Sequence, residues 1–149
     1  MEAYWYVVNV EAAVYRDGRW LLIERGVRET HAAGTLSLIG GKIEDAGTGD
    51  DILENTLRRE VREEVAIEVT GPFHYVRSTS FIADDHDPVV DIVLLCRYDG
   101  TTEPHAVSAD EVASIAWLSL EDALKHPKMP PWTRRSLALA DKLRASLGW

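Results

Sequence analysis

The chain has 149 residues, of which 46% are hydrophobic and 28% charged, and its formal net charge is −9. These values fit one globular domain spanning residues 1–149, and no apolar run approaches the roughly 20 residues that would cross a bilayer. The acidity disfavours duplex nucleic acid as a partner, because such binding depends on Lys and Arg meeting phosphates.

The N-terminal region is predicted to form strands. Residues 4–16, "YWYVVNVEAAVYR", are rich in aromatic and β-branched side chains, which favour strands and suggest that Tyr4, Trp5 and Tyr6 belong to the core or to a dimer interface. The Asp-Gly pair at 17–18 predicts a hairpin turn, with residues 20–24 as the returning strand. After a polar connection, "LSLIGG" is a short apolar piece that ends in two glycines.

The central segment is predicted to be an amphipathic helix. It should begin near Asp51, an N-cap residue that would form a capping-box pair with Glu54. Apolar residues then recur every four positions, at Leu53, Leu57, Val61 and Val65. We expect the helix to end near Val65 or Ala66.

The C-terminal half alternates strands with helices. Residues 66–83 have strand character interrupted at Gly71-Pro72, and residues 89–98, "VVDIVLLCRY", predict a buried central strand. A short strand within 112–120, a helix over 119–126 capped by Ser119 and a closing helix over 132–147 follow. Interleaved strands and helices indicate an α/β domain with a mixed sheet.

Three carboxylates are crowded onto one face of the central helix. Glu60 and Glu64 lie about 40° apart around the helix axis, and Glu63 lies about 60° to the other side of Glu60. This face borders the apolar stripe, so unpaired carboxylates there would be partly desolvated and would repel one another. Mg²⁺ or Mn²⁺ would relieve the repulsion. The alternative is a solvated helix face with ion pairs such as Arg59 to Glu63.

The surrounding sequence resembles the Nudix hydrolase family. The string "REVREEVAI", residues 59–67, matches the helical part of the family's motif at every fixed position but one. "GGKIE" at 40–44 resembles the start of the motif, "HAAGTLSLI" the approach to it, and "DEVASIAWLSLEDAL" the closing strand and helix. The resemblance implies an α/β/α sandwich with a mixed central sheet.

The chain departs from the family pattern at several positions. The interval from Gly41 to Arg59 is longer than usual, which indicates a short insertion within "EDAGTGDD" and places Asp51 where the family has a glutamate. Ala66 stands in place of a glycine, at a cost of around 1 kcal/mol if the backbone there is left-handed. Ile39 replaces a proline.

The resemblance implies hydrolysis of a diphosphate bond in a nucleoside diphosphate linked to another group, with Mg²⁺ or Mn²⁺ as cofactor. Glu60 and Glu64 are the expected metal ligands, and Glu63 would bind a second ion or help to deprotonate water. We expect neither Glu63 nor Glu64 to be buried.

Other residues complete the site that the resemblance implies. The carbonyl of Gly40 would add a metal ligand, and Glu111 or Glu103 would supply a loop ligand or general base. Arg59 would orient the carboxylates, Lys42 would contact phosphate, and Gly41 would let the backbone approach the substrate.

Several alternatives stay open. The substrate could be a nucleoside triphosphate, a nucleotide sugar or a dinucleotide, because specificity lies outside the motif. A non-catalytic nucleotide-sensing module is a second reading, and RNA decapping is disfavoured by size and acidity. We expect a small phosphorylated nucleotide as partner, no membrane association and a homodimer. The lone Cys96 and the N-terminus without a signal-like pattern predict a cytoplasmic location.

Overall fold

The computed structural model describes residues 1–29, 31–44 and 49–149. The strands in these ranges are β1 (Val7–Arg16), β2 (Arg19–Arg25), β3 (Leu36–Ser37), β4 (Ile39–Lys42), β5 (His74–Ile82), β6 (Pro88–Arg97) and β7 (Val112–Leu118). The helices are α1 (Ile52–Val65), α2 (Leu120–Lys125) and α3 (Pro131–Ser146).

The strands form one mixed sheet in the order β3-β2-β1-β6-β5, with β4 also paired to β1 and β7 to β2. β1 and β6 run parallel, and the remaining pairs are antiparallel. β1 changes its neighbour along its length, because Asn9 to Ala12 pair with β4 whereas Tyr15 and Arg16 pair with β2. This change of partner leaves a gap between β4 and β2, beside which the candidate site lies.

The two faces of the sheet bury separate apolar clusters. Alternate residues of β1, including Val10, Ala12 and Val14, pack with Leu57 and Val61 of α1. The other face packs against α3 through residues that include Ala13, Tyr15, Leu95, Leu137 and Ala140. Helices therefore cover both faces, and the expected α/β/α sandwich is confirmed. No helix in the described residues combines the length and the apolar character that a membrane crossing requires.

Most of the predicted elements are confirmed. Asp17 and Gly18 form the hairpin turn with φ of 48° and 79°, and the strand over residues 89–98 lies inside the sheet between β1 and β5. Ser119 caps α2 by accepting a hydrogen bond of 3.1 Å from the backbone N–H of Asp122. β5 begins only at His74, so the part of the predicted strand that precedes Gly71 does not form.

Two local predictions are wrong. Asp51 does precede α1, but its backbone is left-handed, with φ of 54°, and its side chain makes no capping hydrogen bond. Tyr4, Trp5 and Tyr6 lie before β1, so the strand predicted for them does not form, and they are 79%, 84% and 52% exposed. Of the two locations predicted for these side chains, exposure rules out the core and leaves the dimer interface. The predicted insertion falls partly on residues 45–48, outside the described residues.

Candidate functional site

A cavity of about 330 Å³ opens where α1, β4 and the loop before β7 meet. Six glutamates but only three cationic side chains line it. Its lining consists of Asn9, Ile23, Arg25, Glu29, Gly40, Gly41, Lys42, Glu44, Arg59, Glu60, Glu63, Glu64 and Glu111. A phosphate-bearing ligand would meet net negative charge there unless cations entered with it.

The double glycine brings the backbone of β4 against the carboxylates of α1. A Cβ on Gly41 would lie 2.3 Å from the carboxyl carbon of Glu60, and a Cβ on Gly40 would lie 2.3 Å from the carbonyl oxygen of Val10. Neither position could carry a side chain without displacing its neighbours. The backbone N–H of Gly40 also donates a hydrogen bond to Glu64. The glycines are therefore required by close approach.

Burial perturbs two of the three clustered carboxylates. Glu60 is 8% exposed, and desolvation raises its pKa above the ordinary value, with the charges of Glu63 and Glu44 acting in the same direction. Desolvation raises the pKa of Glu64 to about 8, helped by the negative charges of Glu60 and Glu111. The Oε2 atom of Glu64 is buried without a hydrogen-bond partner among the described residues.

Arg59 ties the carboxylates to the backbone of β4. Its Nη1 atom donates to Glu60 at 3.0 Å and to Glu63 at 3.3 Å, and its Nη2 donates to the carbonyl oxygen of Lys42 at 3.1 Å. Glu44 lies 3.5 Å from the same guanidinium. These contacts join Glu60, Glu63 and β4 through one guanidinium at the edge of the cavity.

The loop that carries Glu111 is fixed at two points. The backbone N–H groups of His105 and Val107 donate to the carbonyls of Val65 and Glu64, which satisfies the last turn of α1. At the other end, the N–H of Gly26 donates to the carbonyl of Glu111 at 2.9 Å.

Gly26 permits this second attachment. A Cβ on Gly26 would lie 1.9 Å from the carbonyl oxygen of Asp110, so only glycine allows the loop to come this close to the end of β2. Glu111 is thereby placed beside a helix that precedes it by almost fifty residues in the sequence.

Comparison with known proteins identifies the family. The sequence pattern of the NUDIX domain family matches residues 5–140. The chain belongs to this family. The expected enzyme class, a Nudix pyrophosphohydrolase, is confirmed with it.

Three relatives illustrate the range of the family. CTP pyrophosphohydrolase of Escherichia coli (strain K12) is 31% identical over 121 residues, which cover 81% of this chain and 82% of the relative. The crystal structure of a MutT NUDIX hydrolase from Burkholderia pseudomallei superposes with a TM-score of 0.74 at 29% identity, covering 91% and 98% of the two chains. The NUDIX domain of Shewanella oneidensis NrtR, complexed with ADP ribose, shares the fold with a TM-score of 0.65 at 21% identity, covering 99% and 90%.

The Nudix motif residues meet at one place in the structure. Eight of the residues predicted for the site line the cavity: Gly40, Gly41, Lys42, Arg59, Glu60, Glu63, Glu64 and Glu111. Glu103, the second loop candidate for the base, is instead paired with Arg16 at 3.0 Å and does not line the cavity.

One expectation about burial needs correction. Glu63 and Glu64 were both expected to be unburied, but only Glu63, whose side chain is 58% exposed, is open to solvent. Glu64 is largely enclosed, because it lies on the side of α1 that faces β4.

Sequence reasoning missed several cavity residues. Asn9 in β1 and Arg25 at the end of β2 line the cavity, as do Glu29 and Glu44. Arg25 donates to the carboxylate of Glu29 at 3.0 Å and to the carbonyl of His31 at 2.8 Å. In the sequence, the only indication that Arg25 belongs to the site is its position at the end of an apolar strand.

The residues present fit a divalent cation. In the described parts of the chain, no three His, Cys, Asp or Glu side chains already meet the geometry of a metal centre. The donor set is nevertheless one that suits a hard cation, with carboxylates on one helix face and a buried Glu64 oxygen that has no hydrogen-bond partner among the residues described. Part of the carboxylate charge is meanwhile neutralised by Arg59.

Proposed function

We propose that the chain hydrolyses a diphosphate bond of a nucleoside 5′-triphosphate in a Mg²⁺- or Mn²⁺-dependent reaction, releasing the nucleoside monophosphate and pyrophosphate. The observation that carries this proposal is the cavity, in which six glutamates outnumber three cationic side chains around a double glycine. The similarity to an enzyme named CTP pyrophosphohydrolase supports a triphosphate as substrate in preference to a nucleotide sugar or dinucleotide.

The carboxylates of α1 would hold the cations. Glu60 and Glu64 are one helical turn apart and face β4, so both can reach one ion, with Glu63, Glu111 and the Gly40 carbonyl as further oxygen donors. Bound cations supply charge neutralisation of the diphosphate and stabilise the leaving oxygen.

The other residues position the reacting groups. Arg59 is a positioning residue, because its guanidinium bonds to Glu60, Glu63 and the Lys42 carbonyl at the same time. Lys42 and Arg25 are the cations that can contact substrate phosphate directly. Glu111 or Glu63 would accept the proton of the attacking water, since each side chain lines the cavity and neither is buried in the core.

The test is a substrate panel with purified protein. Release of the nucleoside monophosphate is measured with CTP, the other common nucleoside triphosphates, ADP-ribose and a nucleotide sugar, in Mg²⁺, in Mn²⁺ and in EDTA. We expect turnover of at least one triphosphate that EDTA abolishes. Nucleotide binding without turnover of any substrate would reject the proposal in favour of a nucleotide-sensing module.

Matched variants connect turnover to the cavity. Glu63→Gln and Glu64→Gln should each lower the rate by about 10²- to 10⁴-fold, as expected for the loss of a catalytic carboxylate. Glu103→Gln is the control, because that side chain is 69% exposed and paired with Arg16 outside the cavity. An equal loss of rate in Glu103→Gln would show that the activity does not depend on the carboxylates of the cavity.

Two further expectations concern the whole protein. We propose that it acts in the cytoplasm and that it forms a homodimer. The exposed Tyr4, Trp5 and Tyr6 support a dimer, since exposed aromatic residues are enriched at protein interfaces. Light scattering at several protein concentrations would test the homodimer.

A further inference from the structure

Arg25 is the cationic side chain that β2 contributes to the cavity, and the sheet has a bulge at its position. Glu24 is in register with Ser114 of β7, whereas Arg25 is in register with Val112, so Ala113 has no partner on β2. Bulges of this kind redirect side chains and are frequent beside functional sites. The irregularity therefore lies where the cation of β2 meets the same cavity as the carboxylates of α1.

Two acceptors hold the guanidinium of Arg25. Its Nη2 atom donates to Oε2 of Glu29 at 3.0 Å, and its Nε atom donates to the carbonyl oxygen of His31 at 2.8 Å. A guanidinium has five N–H groups, and the other three of Arg25 have no partner among the residues that the structure describes. These three donors are therefore available to a ligand in the cavity.

The loop after β2, which supplies both acceptors, is attached to the rest of the fold. The backbone N–H of Arg25 donates to the carbonyl of Thr35, and the N–H of Gly34 donates to the carbonyl of Arg25, each at 2.9 Å. The imidazole of His31 is stacked on the ring of Phe81, with centroids 5.8 Å apart. The two acceptors are therefore fixed relative to the end of β2.

The charge of Glu29 by itself is unfavourable for a phosphate ligand. Its carboxylate lines the cavity and would repel an anion that entered there. Glu29 belongs to the loop after β2 and not to α1, and in the described parts of the chain its ion-pair partner is Arg25. The contact with Arg25 is thus the role that the structure shows for this carboxylate.

Glu64 of α1 is a competing partner for Arg25. Burial raises the pKa of Glu64 and the positive charge of Arg25 opposes that increase, so the two groups lie near each other. The Oε2 atom of Glu64 is buried and has no hydrogen-bond partner among the described residues, yet the guanidinium is paired with Glu29. A guanidinium that moved to Glu64 would occupy an oxygen proposed to bind the cation and would be withdrawn from the phosphates.

We propose that Glu29 is a positioning residue, which holds Arg25 so that the remaining N–H groups of its guanidinium bind the phosphates of the substrate. This inference rests on the proposed function, because it assigns a role within the same cavity. Arginine binds phosphate through a planar fork of N–H groups, so its orientation matters as well as its charge. Because Glu29 and His31 engage Nη2 and Nε, the Nη1 end of the guanidinium is left for the ligand.

The test is the binding of inorganic pyrophosphate in the presence of Mg²⁺, measured by calorimetry, which does not require turnover. Glu29→Ala should weaken binding by about 5- to 50-fold, because the charged hydrogen bonds of Arg25 to phosphate lose their alignment. Glu29→Gln should lie between wild type and Glu29→Ala, since its amide oxygen can still accept from Arg25. Removal of a repelling charge alone would have the opposite effect and would tighten the binding of an anion.

A double-mutant cycle assigns the effect to Arg25. Arg25→Ala should weaken pyrophosphate binding by about 10- to 100-fold. When Arg25→Ala is already present, Glu29→Ala should cause no further weakening, because no guanidinium is left to position. Asp110→Asn is the charge control and should not weaken binding, because that side chain is 69% exposed and paired with Arg28. Circular dichroism would confirm that each variant is folded.

The outcomes distinguish this inference from the proposed function. The inference is overturned if wild type does not bind pyrophosphate, or if Glu29→Ala binds it as tightly as wild type or more tightly. It is also overturned if Glu29→Ala causes an equal loss with and without Arg25, because Glu29 would then act on another group, such as the bound cation. Mg²⁺-dependent hydrolysis of a triphosphate alongside any of these results would retain the proposed function. The expected order of pyrophosphate binding in a protein that hydrolyses no triphosphate would support the positioning of Arg25 and reject the proposed function.

Discussion

The buried carboxylate of Glu64 should make the metal-free protein less stable as the pH rises. Its pKa is raised to about 8 in the folded protein, against an ordinary value of 4.5. Between these two values the folded protein retains a proton that the unfolded chain releases. The stability contributed by the neutral carboxyl is therefore complete below pH 4.5 and is lost progressively as the pH rises to about 8.

The size of the effect follows from proton linkage. One retained proton lowers the free energy of unfolding by about 1.4 kcal/mol for each pH unit within that interval. Between about pH 6 and pH 8 the loss due to Glu64 is thus about 2 kcal/mol. The pKa values of Glu60 and Glu11 are also raised, so both act in the same direction. A cation bound to Glu64 would favour its ionised form and would cancel its share of the loss.

The assay is urea unfolding followed by circular dichroism in EDTA and in Mg²⁺, with wild type, Glu64→Gln and Glu103→Gln. In EDTA at about pH 8, Glu64→Gln should be more stable than wild type by about 4 kcal/mol, the loss accumulated over the whole interval from pH 4.5 to pH 8, since the amide has no charge to bury. Mg²⁺ should stabilise wild type and Glu103→Gln more than Glu64→Gln. The reasoning fails if Glu64→Gln is the less stable protein in EDTA, or if Mg²⁺ stabilises all three equally.

Two exchanges between alanine and glycine give further predictions. Ala66 ends α1 with φ of 59°, so Ala66→Gly should raise the free energy of unfolding by about 1 kcal/mol and the melting temperature by about 3 °C. An unchanged or lower melting temperature would show that the backbone at Ala66 is not strained. Gly41→Ala should weaken Mg²⁺ binding at least tenfold by calorimetry, because the added Cβ would meet the Glu60 carboxylate. Gly49→Ala is the control, because the space around Gly49 is open and Mg²⁺ binding should not change. Equal Mg²⁺ affinities of the two variants would refute the close approach at Gly41.

The central helix and the double glycine could be predicted because their signals are local. Four apolar residues spaced by four define the buried face of α1, and the same spacing fixes where Glu60 and Glu64 lie relative to it. The left-handed backbone at Ala66 could also be predicted, because the family has a glycine at this position. The capping role of Asp51 was predicted wrongly, because a capping side chain needs an extended backbone and the backbone of Asp51 is left-handed.

The strand prediction for residues 4–6 was wrong for a reason that lies elsewhere in the chain. Strand propensity describes a preference, but a strand also needs a partner to hydrogen-bond with. Val7 pairs with Val89, and β6 begins one residue earlier at Pro88, which has no N–H to donate. The ladder therefore ends before Tyr6 is reached. Nothing within residues 1–16 encodes that limit.

The polar contact between Asn9 of β1 and Asp91 of β6 could not be predicted from the sequence. Asn9 and Asp91 are 82 positions apart, and only the parallel pairing of β1 with β6 brings them together. Glu11 on its own reads as an acidic residue in a strand, and its burial depends on β6 and β5 as well. Non-local pairing thus determines which polar residues of these strands meet, whereas a single local motif determines most of the proposed metal ligands.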